Sequence, residues 1–297
     1  MKIVIIGRNG QLARALIAAG APEGMRLQAI SPPELDITSR ESVDRALSCT
    51  RPDVVINTAA YTAVDTAESE AQAAFSLNRD GARHLAQACC RMQIPLVHIS
   101  TDYVFDGKKA APYVEEDPTC PLNVYGKSKL EGERAVRQYC QQHLILRTSW
   151  LFSPHGRNFV RAILQQAQMR DSLQVVDDQL GTPTYAAHLA RGILHMLQVM
   201  RSSMDEFPWG TYHMSGAGKA SWCTLAQEVL SCAARLGGPV ARVQPIASAE
   251  FPSPARRPTD TRLDNGKLIK AFGIRLPDWR EGTHECVRAI LEGEMLT

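Results

Sequence analysis

The run Lys2-Ile3-Val4-Ile5-Ile6-Gly7-Arg8-Asn9-Gly10-Gln11-Leu12-Ala13 decides the fold. It opens with a compact apolar, β-branched segment that ends on a glycine. Apolar positions then recur at helical spacing over 12–19. A strand, a glycine-bearing turn and a helix in immediate succession read as the opening of a βαβ unit. Gly7 permits the tight turn. Gly10 lets an anion approach the backbone at the helix N-terminus, where free N–H groups and the dipole favour negative charge. Ala13 stands where a third glycine often sits. Two glycines alone also mark an ordinary strand-to-helix turn; their place between a strand and a helix favours a dinucleotide pyrophosphate. Gly7, Arg8, Asn9, Gly10, Gln11 and Leu12 are therefore candidate cofactor contacts.

Outward from this run the alternation continues. Strands are expected over 27–30, 53–57, 95–99 and 143–147, and helices over 40–49, 67–92 and 125–139. Short apolar strands alternating with amphipathic helices imply parallel pairing. The expected fold is α/β, a Rossmann-like doubly wound parallel sheet with a smaller C-terminal substrate-binding lobe. Residues 1–150 form the dinucleotide-binding domain and 151–297 mainly the second lobe, whose later segments can rejoin the sheet. There, helices are expected over 158–168, 186–200, 224–236 and 280–292, and strands over 173–176 and 211–214.

Composition narrows the function classes. The chain has 297 residues, 44% hydrophobic and 22% charged, with 33 Lys+Arg against 31 Asp+Glu. That is ordinary globular composition, long enough for a sizeable core. A net charge of +2 without a basic stripe disfavours nucleic acid as the partner. No apolar run approaches the roughly 18 residues of a membrane helix, and the opening run is too short for a secretory signal. The 8 cysteines form no Cys-x-x-Cys pair, so reduced thiols in the cytoplasm are expected.

An acid at the end of the second strand would bind the ribose 2′-hydroxyl of NAD. That strand ends at Ile30-Ser31 instead, and Arg8 offers a guanidinium for a 2′-phosphate. NADPH is the expected cofactor, with NADH as a second substrate for the same site. Asp36 and Ile37 are expected near the adenine. Ala59, Ala60, Tyr61 and Thr62 follow the third strand, where small residues let a cofactor lie on the backbone; close helix packing would explain them too.

Tyr125 and Lys129 stand at i and i+4, on one face of a helix. A tyrosine hydroxyl has a reference pKa of about 10, and a neighbouring ammonium is expected to bring it toward the working range. Tyr-x-x-x-Lys also arises by chance. The fourth strand, however, runs through Ile99 into Ser100-Thr101-Asp102, at the carboxyl end where a doubly wound sheet presents its site. Thr101 would hold a substrate carbonyl beside Tyr125. Ser-Thr-Asp is otherwise a turn or cap sequence. Asn123 is the expected N-cap.

The runs at 7–12, 51–57, 60–68, 100–107, 121–129, 147–150, 178–184 and 252–258 keep order along nearly the whole chain. In them the sequence resembles the extended short-chain dehydrogenase/reductases, and within these the dTDP-4-dehydrorhamnose reductase family. The resemblance implies an oxidoreductase that reduces the C4 ketone of dTDP-4-dehydro-6-deoxy-L-mannose to dTDP-L-rhamnose, for polysaccharide biosynthesis. It implies Thr101, Tyr125 and Lys129 as catalytic residues and Ile99 among the cofactor contacts. Thr101, Asp102 and Trp150 would meet the dTDP-sugar, and Arg256 and Arg257 its diphosphate. Trp150 also suits a core, and the arginines a solvated surface. Some relatives bridge two subunits through Mg2+ held by glutamates; the first helix here has no acid and carries Ala15 at that place. No metal site is expected, and a homodimer is the candidate assembly. Two other functions share these motifs: a non-catalytic NADP-binding regulatory subunit resembling the methionine adenosyltransferase β subunit, and another nucleotide-sugar reductase or epimerase.

Overall fold

Both faces of the opening strand are apolar, because it is buried from both sides. In β1 (Lys2–Ile6), Ile3 and Ile5 enter one core while Val4 and Ile6 enter another. The structure is a computed structural model that describes residues 1–204 and 206–295. After β1 come α1 (Gln11–Ala19), β2 (Arg26–Ile30), α2 (Arg40–Thr50) and β3 (Val54–Asn57). Short helices α3 (Val64–Ala67) and α4 (Ala71–Phe75) precede α5 (Ala82–Met92), β4 (Leu96–Thr101), α6 (Val124–Tyr139) and β5 (His143–Thr148). The remainder contains β6 (Leu151–Phe152), α7 (Phe159–Ala167), β7 (Ser172–Val176), β8 (Leu180–Gly181), β9 (Thr184–Tyr185) and α8 (Ala186–Ser202). It ends with β10 (Gly210–His213), β11 (Ala220–Ser221), α9 (Trp222–Arg235), β12 (Arg242–Ile246), α10 (Gly266–Phe272) and α11 (Trp279–Met295).

Six strands form one parallel sheet in the order β10-β5-β4-β3-β1-β2. Strands buried on both faces read as near-continuous apolar runs, which is why they are legible. Helices α1 and α8 cover one face; α2, α5 and α6 cover the other. The division at residue 150 is crossed here. β10 hydrogen-bonds along β5, and α8 lies on α1, so both return to the nucleotide-side layer. The return covers an edge that β5 would otherwise expose. Residues from Phe152 to Ile290 build a second core around α7, α9 and α11.

One expected element is revised. The helix expected over 67–92 is interrupted before α4 and carries a π-helical turn at Ser76–Gly81. Asn78, within that turn, exchanges hydrogen bonds with the Tyr61 backbone at 2.8 and 3.0 Å and donates to Ser128 Oγ at 2.9 Å. Strand β12, which the pattern hides, pairs with β7 and contains Pro245. Proline has no N–H for a ladder and is tolerated at such an edge. Among the described residues, no helix is long and apolar enough to cross a membrane.

Candidate active site

β1 and β3 are neighbours whose chains leave in opposite directions, one crossing to β2 and the other toward β4. Their carboxyl ends therefore splay, and a crevice opens there. It is a cleft of about 560 Å³. Asn9, Gly10, Gln11, Leu12, Thr58, Ala60 and Thr62 line it, together with Ile99, Thr101, Asp102, Tyr125 and Lys129. Trp150 lines it from the boundary between the lobes, and Gly156, Arg157, Asn158 and Trp222 from the second lobe.

The loop before α1 is shaped by its glycines. Gly7 has φ of 101°, and a Cβ there would stand 3.0 Å from the Ala59 nitrogen and the Thr58 hydroxyl. Gly7 N donates to Ile30 O at 2.9 Å and Gly10 N to Gly7 O at 2.9 Å. Gly10 caps α1 without a side-chain hydrogen bond. The first-turn N–H groups are left for another acceptor, and the dipole favours an anion. This cradle suits the pyrophosphate of a dinucleotide. The Gln11 side chain ties it to the second lobe: its Oε1 accepts from Ser153 Oγ at 2.9 Å and from Asn158 Nδ2 at 3.0 Å.

Asn123 caps α6, its Oδ1 accepting from Gly126 N at 2.8 Å. Gly126 lets the helix approach the Tyr103 carbonyl; a Cβ would come within 2.2 Å of that oxygen. Tyr125 and Lys129 share the face over the cleft, beside Thr101. Tyr103 meets the Tyr125 ring edge-on at 5.8 Å. Burial pushes the Tyr125 hydroxyl up to about 12, with Thr101 acting against that rise and Asp102 adding to it. The lowering expected from Lys129 is not found. Lys129 is itself buried, its Nζ donates to Ile99 O at 2.6 Å, and burial lowers it to about 8, against the opposing charge of Glu133. Desolvation outweighs the charge pairing.

Beneath the site is a polar group that the motifs do not reveal. Glu133, fully buried, accepts from Ser100 Oγ at 2.5 Å, from Arg147 Nε at 2.9 Å and Nη2 at 2.8 Å, and from Arg137 at 3.1 Å. Burial would raise its carboxyl, but Arg147 overrides this and holds it at about 2. Asp102 is also buried. It accepts from Thr101 at 3.1 Å and from Thr261 at 2.5 Å, and burial raises it to about 7.

Trp150 stacks on Trp222 at 3.5 Å between centroids and 3° between planes. Its φ is 46°, and a Cβ on Gly181 would come within 2.3 Å of its ring. Trp150 is thus partly packed, yet it lines the cleft.

Other expected residues are engaged by neighbouring groups or packed in the core. Arg8 donates to Ala29 O at 3.1 Å and to Glu34 Oε1 at 2.6 Å. The second strand does end without an acid, but Glu34 in the following turn brings a carboxylate to Arg8. The Asp36 side chain is occupied by Thr38, accepting from its N at 2.9 Å and its hydroxyl at 2.8 Å. Ile37 is 3% exposed and packs in the core, so its side chain does not face the cleft. Ala59 packs on the same core, and the Tyr61 hydroxyl donates to Glu70 at 2.7 Å. Arg257 forms a two-point pair with Asp65 at 2.7 and 3.1 Å, and Arg256 is exposed. Neither arginine lines the cleft; Arg157 does. Sequence reading missed Glu34, Glu133, Arg157, Asn158 and Trp222. Asn158 carried one signal, as the residue before a helix: its Oδ1 accepts from Arg161 N at 3.1 Å. Among the described residues, no group of three or more His, Cys, Asp or Glu side chains could hold a metal ion.

A family model described as RmlD substrate binding domain matches residues 1–292. A dTDP-4-dehydrorhamnose reductase of Sinorhizobium fredii is 45% identical, over 98% of each chain. One of Burkholderia thailandensis is 42% identical, over 98% of this chain and 99% of that one. The crystal structure of dTDP-4-dehydrorhamnose reductase from Bacillus anthracis in complex with NADP is 35% identical, with a TM-score of 0.89. That match covers 97% of this chain and 99% of the other.

Proposed function

The chain belongs to the RmlD substrate-binding-domain family, and from that membership we propose that it is an NADPH-dependent oxidoreductase acting on a dTDP-sugar. It reduces the C4 ketone of dTDP-4-dehydro-6-deoxy-L-mannose to dTDP-L-rhamnose. One observation carries the chemistry: Thr101, Tyr125 and Lys129 converge on the cleft that also holds the start of α1, where no side chain caps the helix.

A bound nicotinamide supplies the hydride. The first turn of α1 receives the pyrophosphate, and the small residues Ala60 and Thr62 leave room along β3. Thr101 holds the substrate oxygen by its hydroxyl. Tyr125 donates its proton to that oxygen; a hydroxyl kept protonated by burial is a donor at neutral pH. Lys129 supplies positive charge beside the tyrosine and a donor for the nicotinamide ribose. Asp102, Trp150, Arg157 and Trp222 bound the sugar-nucleotide side. The second lobe, 151–297 without the returning α8 and β10, carries that side. The cytoplasm is the compartment we assign, since its reducing conditions suit the free cysteines.

The test is NADPH oxidation by the purified protein with dTDP-4-dehydro-6-deoxy-L-mannose, with the product identified by NMR. Stoichiometric dTDP-L-rhamnose supports the assignment. An epimerised ketone, or no oxidation, sinks it.

A further inference from the structure

Trp150 follows β5, and its backbone is left-handed, with φ of 46°. A bulky side chain rarely adopts that region, and such strain persists where surrounding groups over-determine it. Two groups do so here. A Cβ on Gly181 would stand 2.3 Å from Cε2 of the Trp150 ring and 2.6 Å from both Cζ2 and Nε1. Distances so nearly equal to three bonded ring atoms set the glycine over a face of the indole. Trp222 covers the opposite face, 3.5 Å away between centroids and 3° from parallel. With both faces taken, Trp150 lines the cleft by its edge.

Trp222 is itself held. It is the first residue of α9, whose cap Ser221 accepts from Thr224 N at 3.0 Å. Its Nε1 donates to Gln179 Oε1 at 3.2 Å, and Gln179 Nε2 donates to Ser248 Oγ at 3.0 Å. The Phe159 ring, at the start of α7, lies 4.7 Å away, tilted 48°. The stack therefore runs from the end of β5 to two helices of the second lobe. The phosphate loop is tied separately, through Gln11 to Ser153 and Asn158.

We propose that Trp222 is a positioning residue for the reduction. It acts through Trp150: pressed between Trp222 and Gly181, the Trp150 edge fixes the sugar so that its ketone meets Tyr125. The inference rests on the reductase reading of the cleft. The cofactor is held by other groups, so Trp222 governs the placement of the sugar and not the binding of the cofactor.

Steady-state kinetics with dTDP-4-dehydro-6-deoxy-L-mannose, beside titration with NADPH, test this on the full chain. The variants are Trp222→Ala, Trp222→Phe, Trp150→Ala and the double Trp150→Ala/Trp222→Ala. Trp222→Ala is expected to lower kcat about tenfold to a hundredfold, up to the cost of an ångström of misplacement. Its NADPH affinity should hold, which also shows that the variant is folded. Trp222→Phe keeps a ring against Trp150 and should recover turnover to within about fivefold of wild type. The double variant should be no slower than Trp150→Ala, because a residue that acts through another then has nothing to act on. Near-normal turnover in Trp222→Ala, a parallel loss of NADPH affinity, no recovery in Trp222→Phe, or losses that multiply in the double variant overturns the proposal. If wild type binds NADPH but does not reduce the sugar, the reductase reading falls first, and this inference with it.

Discussion

Arg147 grips Glu133 with two parallel hydrogen bonds, 2.9 and 2.8 Å long, directly under the helix that carries Tyr125 and Lys129. Arg147 comes from β5 and Glu133 from α6, so the pair joins sheet to helix at the depth of the site. Glu133 lies on the same helix face as Tyr125 and Lys129, and its charge supports that of Lys129.

Breaking this pair by removing Arg147 leaves the buried Glu133 carboxylate with only Ser100 and Arg137 to hold it. Arg147→Met is expected to cost about 3–5 kcal/mol of stability. Denaturant midpoints of variant and wild type measure it. A loss below about 1 kcal/mol, the worth of a surface pair, would mean that the ions are solvated.

Tyr125→Phe should keep the fold and bind cofactor normally, because the ring packing on Tyr103 survives. Turnover should fall about a hundredfold to ten-thousandfold, the usual worth of general acid catalysis. Steady-state kinetics with titrated cofactor affinity decide this, and near-normal turnover removes Tyr125 from its role.

Lys129→Met should damage rate and cofactor affinity together. It removes the charge beside Tyr125 and a ribose donor, and it leaves the Ile99 carbonyl without its partner. If the rate falls while cofactor affinity is intact, the ribose contact is wrong.

The pH profile carries the lysine's signature. Burial sets Lys129 at about 8, below its ordinary value, so its charge is present below that pH and lost above it. The profile of kcat/KM, which reports free-enzyme groups, should therefore fall on the alkaline side near pH 8. In Lys129→Arg, whose guanidinium does not titrate, residual activity should lose this limb. A limb that stays where it was belongs to another group.

Arg8→Ala should weaken NADPH selectively. A charge-assisted hydrogen bond is worth about 1.5–3 kcal/mol, and solvent screening reduces the loss to about threefold to thirtyfold. Michaelis constants for NADPH and NADH give the answer. Equal losses would place Arg8 on the shared pyrophosphate or in loop structure, and the selectivity argument would fail.

The strand run at 2–6, the glycines at 7 and 10, and the Tyr125–Lys129 spacing are local statements, and they were readable in the sequence because their causes are local. A strand buried on both faces must be apolar throughout, a tight turn into a helix needs glycine, and residues four apart on a helix share a face. Asn123 is legible for the same reason, since a cap acts within one turn. What joins distant segments was not readable. Which late strand rejoins the sheet and beside which neighbour, the Gln11 tie to Ser153 and Asn158, and the Glu133–Arg147 pair depend on contacts between parts of the chain that no periodicity relates. The same holds for charge. The resemblance suggested Arg256 and Arg257 for the substrate diphosphate, but Asp65 engages Arg257 and it is Arg157 that lines the cleft. The Tyr125 pKa turned on desolvation, which a sequence does not display. Burial is a property of everything packed around a group, so only the tertiary structure could decide whether the tyrosine moved down with its lysine or up with its surroundings.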